Sequence, residues 1–105
     1  NVAGFKVYPT EVENVLYEHP AVAEVAVYGV PDLEKSEIVK ANIILKPDCN
    51  VTEKQIIAFC AERMAAYKMP KTIKFVDAIP KNPTGKVLKR VLRDEAANEA
   101  ALKKG

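Results

Sequence analysis

Seven residues near the C-terminus carry the strongest chemical signal in the chain: Pro80-Lys81-Asn82-Pro83-Thr84-Gly85-Lys86. Two prolines and a glycine stiffen and bend a short loop. The loop presents Lys86 just before a helical pattern begins. An ammonium group is a compact positive charge. Held in one place, it suits polyphosphate or carboxylate chemistry, where charge on oxygen must meet a donor that is already positioned. Pro83, Thr84 and Gly85 shape that approach. Pro83 restricts the backbone, and Gly85 permits a bend or a close approach of backbone to ligand. Read alone, a turn ending in a lysine is only a turn, so the surrounding elements must give the signal its weight.

The chain has 105 residues, enough for one domain (1–105) with a modest core and too few for two. It is 49% apolar and 29% charged, the composition of a soluble globular domain. A net charge of +2 is too small to argue for nucleic acid or an anionic membrane as partner. No apolar run approaches the roughly 20 residues that span a bilayer, and no signal peptide is read at the start. With Asn1 in first place, the chain reads as a fragment or a processed product. Cys49 and Cys60 form no C-x-x-C pair, and the single His19 anchors no zinc site. Reduced, structural cysteines fit a cytoplasmic setting. No metal site is expected in this domain.

Around the loop the pattern is strand, helix, strand, strand, helix, strand, loop, helix. Phe5 to Tyr8 alternates like a short strand. Thr10 and Glu13 form a capping-box pattern for a helix that carries Val12, Val15 and Leu16 on one face and ends near His19-Pro20. Glu11 and Glu13 are expected to serve that cap, and His19 has no catalytic part. Two apolar runs, Ala21–Val30 and Ile38–Leu45, are short enough to be strands and can pair antiparallel. Thr52 and Gln55 open a second helix, expected through about Ala65, with Ile56, Cys60 and Met64 as its apolar stripe. Thr72 to Val76 is a third strand. Val87, Leu88, Val91 and Leu92 form one face of a last helix. The expected fold is α+β: a small, mostly antiparallel sheet, a short hairpin-like strand region at the N-terminus, and about three helices packed on the sheet.

In this order the motifs resemble a known family. The matching pieces are Gly4-Phe5-Lys6-Val7-Tyr8-Pro9-Thr10-Glu11-Val12-Glu13, His19-Pro20-Ala21-Val22, Val27-Tyr28-Gly29-Val30-Pro31-Asp32, Tyr67-Lys68-Met69-Pro70, Phe75-Val76-Asp77-Ala78-Ile79-Pro80 and Pro83-Thr84-Gly85-Lys86-Val87-Leu88. Together they resemble the C-terminal domain of the adenylate-forming (AMP-binding) enzymes, most of all the fatty-acid and acyl-CoA synthetases. One departure is Ser36-Glu37, where the family usually has Gly-Glu. That exchange affects a turn rather than the reacting groups. The family's hinge residue and its large N-terminal domain, which carries the ATP site and most of the acyl pocket, would precede Gly4 and are not in this sequence.

The resemblance implies a two-step reaction. A carboxylic acid attacks ATP, with Mg2+ expected on the nucleotide, and a thiol such as CoA then takes the acyl group and releases AMP. Lys86 would be the adenylation lysine. The domain would rotate after the first step and bring Gly4 and Phe5 against the thiol channel, Gly4 leaving room there by its missing side chain. Lys68 would meet nucleotide or CoA phosphates, and the basic face Lys89, Arg90, Arg93 is either a solubilising surface or a contact for CoA phosphate. The implied partners are the domain's own N-terminal lobe, ATP, a carboxylic acid and CoA, with no nucleic acid and no transmembrane segment. None of these ligands is expected to be held by this domain alone. Two other assignments fit the same residues: the C-terminal part of a peptide-synthetase adenylation domain, and a detached, non-catalytic binding module.

Overall fold

The valine-rich run from Val22 does not alternate between apolar and polar because both of its faces are covered. In the computed structural model, which describes residues 9–32 and 36–104 and side-chain surroundings for 9–30 and 38–99, this run is strand β1 (Val22–Asp32). It pairs antiparallel with β2 (Ser36–Leu45), from Val22 opposite Leu45 to Asp32 opposite Ser36. A short third strand, β3 (Thr72–Phe75), pairs parallel with β2, so the order is β1-β2-β3. The sheet is therefore mostly antiparallel, as the sequence indicates. The short strand expected at Phe5–Tyr8 lies outside the described residues, as do Gly4 and Phe5.

Side chains from the two faces of β1 belong to different cores. Val25 and Val27, with Val39, Ala41 and Ile43 of β2 and Ile73 of β3, meet Val12 and Leu16 of helix α1 (Pro9–Tyr17) and Ile56 and Cys60 of helix α2 (Glu53–Ala61). Ala26, Tyr28 and Val30 point the other way, onto Leu92 and Ala96 of helix α3 (Lys89–Lys104) and onto Ile79. Strand periodicity of two makes this division automatic once the register is set. On the α3 side, the buried Tyr28 hydroxyl donates to Asn42 Oδ1 at 2.7 Å, which satisfies both polar groups inside the core.

Three local expectations change. Helix α1 already includes Pro9, so Thr10 lies inside the helix. Glu13 therefore does not pair with a Thr10 cap, and both Glu11 and Glu13 have partners outside the helix. Glu11 pairs with Lys68 at 2.9 Å, and Glu13 reaches β1. Helix α2 has the expected capping box, with Thr52 and Gln55 bonding reciprocally, but it stops at Ala61 rather than near Ala65. There the Cys60 carbonyl accepts from both Arg63 and Met64 N–H groups, and Ala65 turns to extended backbone. A single 3-10 turn, Ala66–Lys68, then returns the chain toward β3. No helix among the described residues is long and apolar enough to cross a membrane.

Two measurements test this packing. Ile56→Ala, at a fully buried position, should lower the unfolding free energy by about 2–5 kcal/mol, and Thr52→Ala by about 1 kcal/mol through its cap, both read by urea titration. Burial pushes the Tyr28 phenol from its ordinary 10.0 up to about 12, with the charges of Glu99 and Glu95 adding to the effect. Because the folded value is the higher one, the associated stability is complete below about pH 10 and is lost as pH rises toward 12. The stability difference between the chain and Tyr28→Phe should therefore shrink across that interval. A pH-independent difference would contradict it.

Candidate functional site

The loop from Pro80 onward is a miniature hairpin rather than a simple helix entry. Lys81 and Val87 form an antiparallel bridge. Leu88 N–H donates to the Pro80 carbonyl at 2.9 Å, and Asn82 N–H donates to the Lys86 carbonyl at 2.9 Å. At the tip, Gly85 N–H donates to the Asn82 carbonyl at 2.9 Å. This is a β-turn with Asn first, Pro second and Gly fourth, each at a preferred position. Asn82 Oδ1 collects three donors: Thr84 N–H at 3.0 Å, the Thr84 hydroxyl at 2.7 Å and Lys86 N–H at 2.9 Å. Gly85 sits at φ +90°, and a Cβ there would meet nothing within 4 Å. Glycine is required here by backbone conformation and not by lack of space.

These bonds also explain why the last helix starts later than its apolar pattern indicates. Val87 and Leu88 are committed to the hairpin, so α3 begins at Lys89. Val87 packs beside the α3-side core from its extended position, and Leu88 is left 36% exposed. Asn82 was not singled out by the sequence reading. The signal was present, because Asn-Pro-x-Gly is a turn signature in which the asparagine side chain bonds its own backbone.

Lys86 is exposed, and among the described residues no carboxylate forms an ion pair with it. The lysines on either side are treated differently. Lys81 pairs with Glu24 of β1, and Lys89 pairs with Glu13 at 3.3 Å. Lys86 opens onto a groove of about 800 Å³ that also carries Lys89, Arg90 and Arg93, with Tyr17 and Leu88 in its apolar lining. The structure thus gathers the predicted lysine and the predicted basic face of α3 into one concave surface. A surface of this sign attracts anions.

Among the described residues, Lys68, His19 and Cys60 lie apart from this groove. Lys68 is in the 3-10 turn, with its ammonium 2.9 Å from Glu11 and 5.9 Å from the Tyr67 ring centroid. His19 Nδ1 accepts from Ala21 N–H at 3.0 Å, and its ring lies edge-on to Phe59, so it is structural. Cys60 is buried in the core, and burial pushes its thiol up, with the Arg63 charge acting against that. Among the described residues no group of three or more His, Cys, Asp or Glu is placed to hold a metal ion.

Comparison with known proteins places this geometry. The sequence pattern of the AMP-binding enzyme C-terminal domain matches residues 11–86. The long-chain-fatty-acid–CoA ligase of Escherichia coli is 46% identical over 95 residues, which is 90% of this chain and 17% of that protein. A fatty acyl CoA synthetase of Mycobacterium tuberculosis superposes with a TM-score of 0.83 at 47% identity, over 90% of this chain and 18% of that one. The anthranilate CoA ligase AuaEII, solved with anthranoyl-AMP, gives a TM-score of 0.87 at 47% identity, over 96% of this chain and 20% of that one. The chain therefore spans about a fifth of the length of relatives that are CoA ligases. It belongs to the AMP-binding enzyme C-terminal domain family.

Proposed function

We propose that this chain works as the mobile C-terminal domain of an acyl-CoA ligase, and that Lys86 is the residue that promotes acyl-adenylate formation. The observation that carries the reading is the Asn82-centred hairpin. It holds one ammonium free of carboxylate partners among the described residues, beside a cationic groove, in a chain of the AMP-binding family.

In this reading the acyl carboxylate oxygen attacks the α-phosphorus of ATP. The bond to the pyrophosphate leaving group breaks, giving acyl-adenylate and pyrophosphate. Negative charge concentrates on phosphate oxygens as two anions approach, and a preorganised ammonium stabilises that arrangement more than the separated reactants. Mg2+ enters with the nucleotide substrate and screens the same charge. The groove cations Arg90 and Arg93 raise the local potential without needing to touch the reacting atoms. The thiol of CoA then attacks the acyl carbon and AMP leaves. A hinge rotation of the whole domain withdraws Lys86 and brings the Gly4-Phe5 segment against the larger domain for this step. Pro83, Thr84 and Gly85 keep the lysine on a short, bent tether throughout. Lys68, held by Glu11, meets phosphates of CoA or nucleotide from another part of the domain.

Two outcomes are expected. In the intact ligase, Lys86→Ala should slow adenylation by about 10²–10³-fold while sparing thioester formation from supplied acyl-adenylate. Equal damage to both half-reactions would count against the reading. The chain by itself should release no pyrophosphate from ATP and a fatty acid, because one lysine without the nucleotide pocket positions nothing. Turnover by the purified chain would overturn that.

A further inference from the structure

We propose that the Glu13–Lys89 ion pair is a positioning device for Lys86, with Glu13 as its central residue. The proposal rests on the role of Lys86 given above and extends it to a carboxylate on a different helix.

The hairpin's own hydrogen bonds fix its shape but not its orientation relative to the sheet. Orientation must come from what holds its two ends. Upstream, Lys81 is tied to Glu24 on β1. Downstream, Lys89 is the first residue of α3, three positions after Lys86, and its ammonium lies 3.3 Å from Glu13 Oε2. That same oxygen accepts from Val27 N–H of β1 at 2.8 Å. One carboxylate thus joins three elements: the helix that carries it, the outer edge of β1, and the residue that begins the helix after the loop. The Glu13 side chain is 19% exposed and that of Lys89 32%. A charge-assisted bond in such surroundings is stronger and less screened than one between freely exposed groups.

Glu13 and Lys86 also line the same groove, so the tie acts next to the group it orients. Electrostatic help to a reacting phosphate depends on where the ammonium stands, and small displacements cost rate steeply. Release of Lys89 loosens the downstream end of the hairpin while the Asn82 turn and the apolar anchor at Leu92 stay intact.

The test uses the intact ligase, with the two half-reactions measured separately in one preparation. Glu13→Gln keeps an oxygen for Val27 N–H and removes the charge. Lys89→Met removes the same pair from the other side. Each should lower the adenylation rate between about 5- and 50-fold, and the double variant should be no slower than the worse single one. Thioester formation from supplied acyl-adenylate should remain at the parent rate, which also shows that the variants are folded. Glu53→Gln makes the same chemical change at the opposite edge of the sheet, where Glu53 accepts from Ile73 N–H. It should leave both half-reactions unchanged. Lys86→Ala is the reference. If it does not slow adenylation, the reading of the site fails and this proposal falls with it. If it does, but the Glu13 and Lys89 variants adenylate at the parent rate, slow both half-reactions alike, or combine additively, the positioning role is overturned and the role of Lys86 stands.

Discussion

The structure depends on one strand that has no solvent face. β1 sends Val25 and Val27 into one core and Ala26, Tyr28 and Val30 into the other. A strand of that kind must be covered twice, so the sheet is held between α1 and α2 on one side and α3 on the other. The placement of the lysine hairpin follows from this arrangement. α3 must lie across the face that carries Tyr28, and the chain reaches α3 from β3 through Pro80–Leu88. The loop therefore emerges beside β1, where Glu24 can receive Lys81 and Glu13 can receive Lys89.

Among the described residues the three strands leave two sheet edges, and side chains bond to both. On the outer edge of β1, Tyr17 Oη accepts from Val25 N–H at 3.3 Å and Glu13 accepts from Val27 N–H at 2.8 Å. Residues 13 and 17 are one helical turn apart, which places them over successive outward-facing amides of the strand. At the far edge, Glu53 from the first turn of α2 accepts from Ile73 N–H at 2.9 Å. Unpaired strand edges recruit other strands, and capping them with carboxylates makes that pairing unfavourable. The same two helices that bury the core thus also protect the sheet.

Much of this was legible in the sequence because it follows from local chemistry. The antiparallel pairing of β1 and β2 came from two apolar runs of strand length. The α2 cap came from Thr52 and Gln55, and the bend at Gly85 from glycine's freedom. What was not legible depended on partners distant in the chain. Glu13 looked like a capping residue because Thr10 stands three places before it, yet its partners are Val27 and Lys89. Val87 and Leu88 fit a helical stripe, but the hairpin bonds to Lys81 and Pro80 hold them extended. Helix α2 lost its last turn because the chain must reverse to lay β3 beside β2. In each case a tertiary contact overrode a local pattern. The groove could not be foreseen either, since it joins α1, the hairpin and α3.

Gly85 occupies a backbone region natural to the mirror-image amino acids. An L-alanine there would be strained although its Cβ would meet nothing within 4 Å, whereas a D-alanine takes up this φ without backbone strain and removes freedom from the unfolded chain. The apex of the hairpin is therefore a place where handedness alone separates harm from benefit, and where a synthetic D-residue bearing a reporter could be installed one bond from Lys86 while the turn keeps its shape.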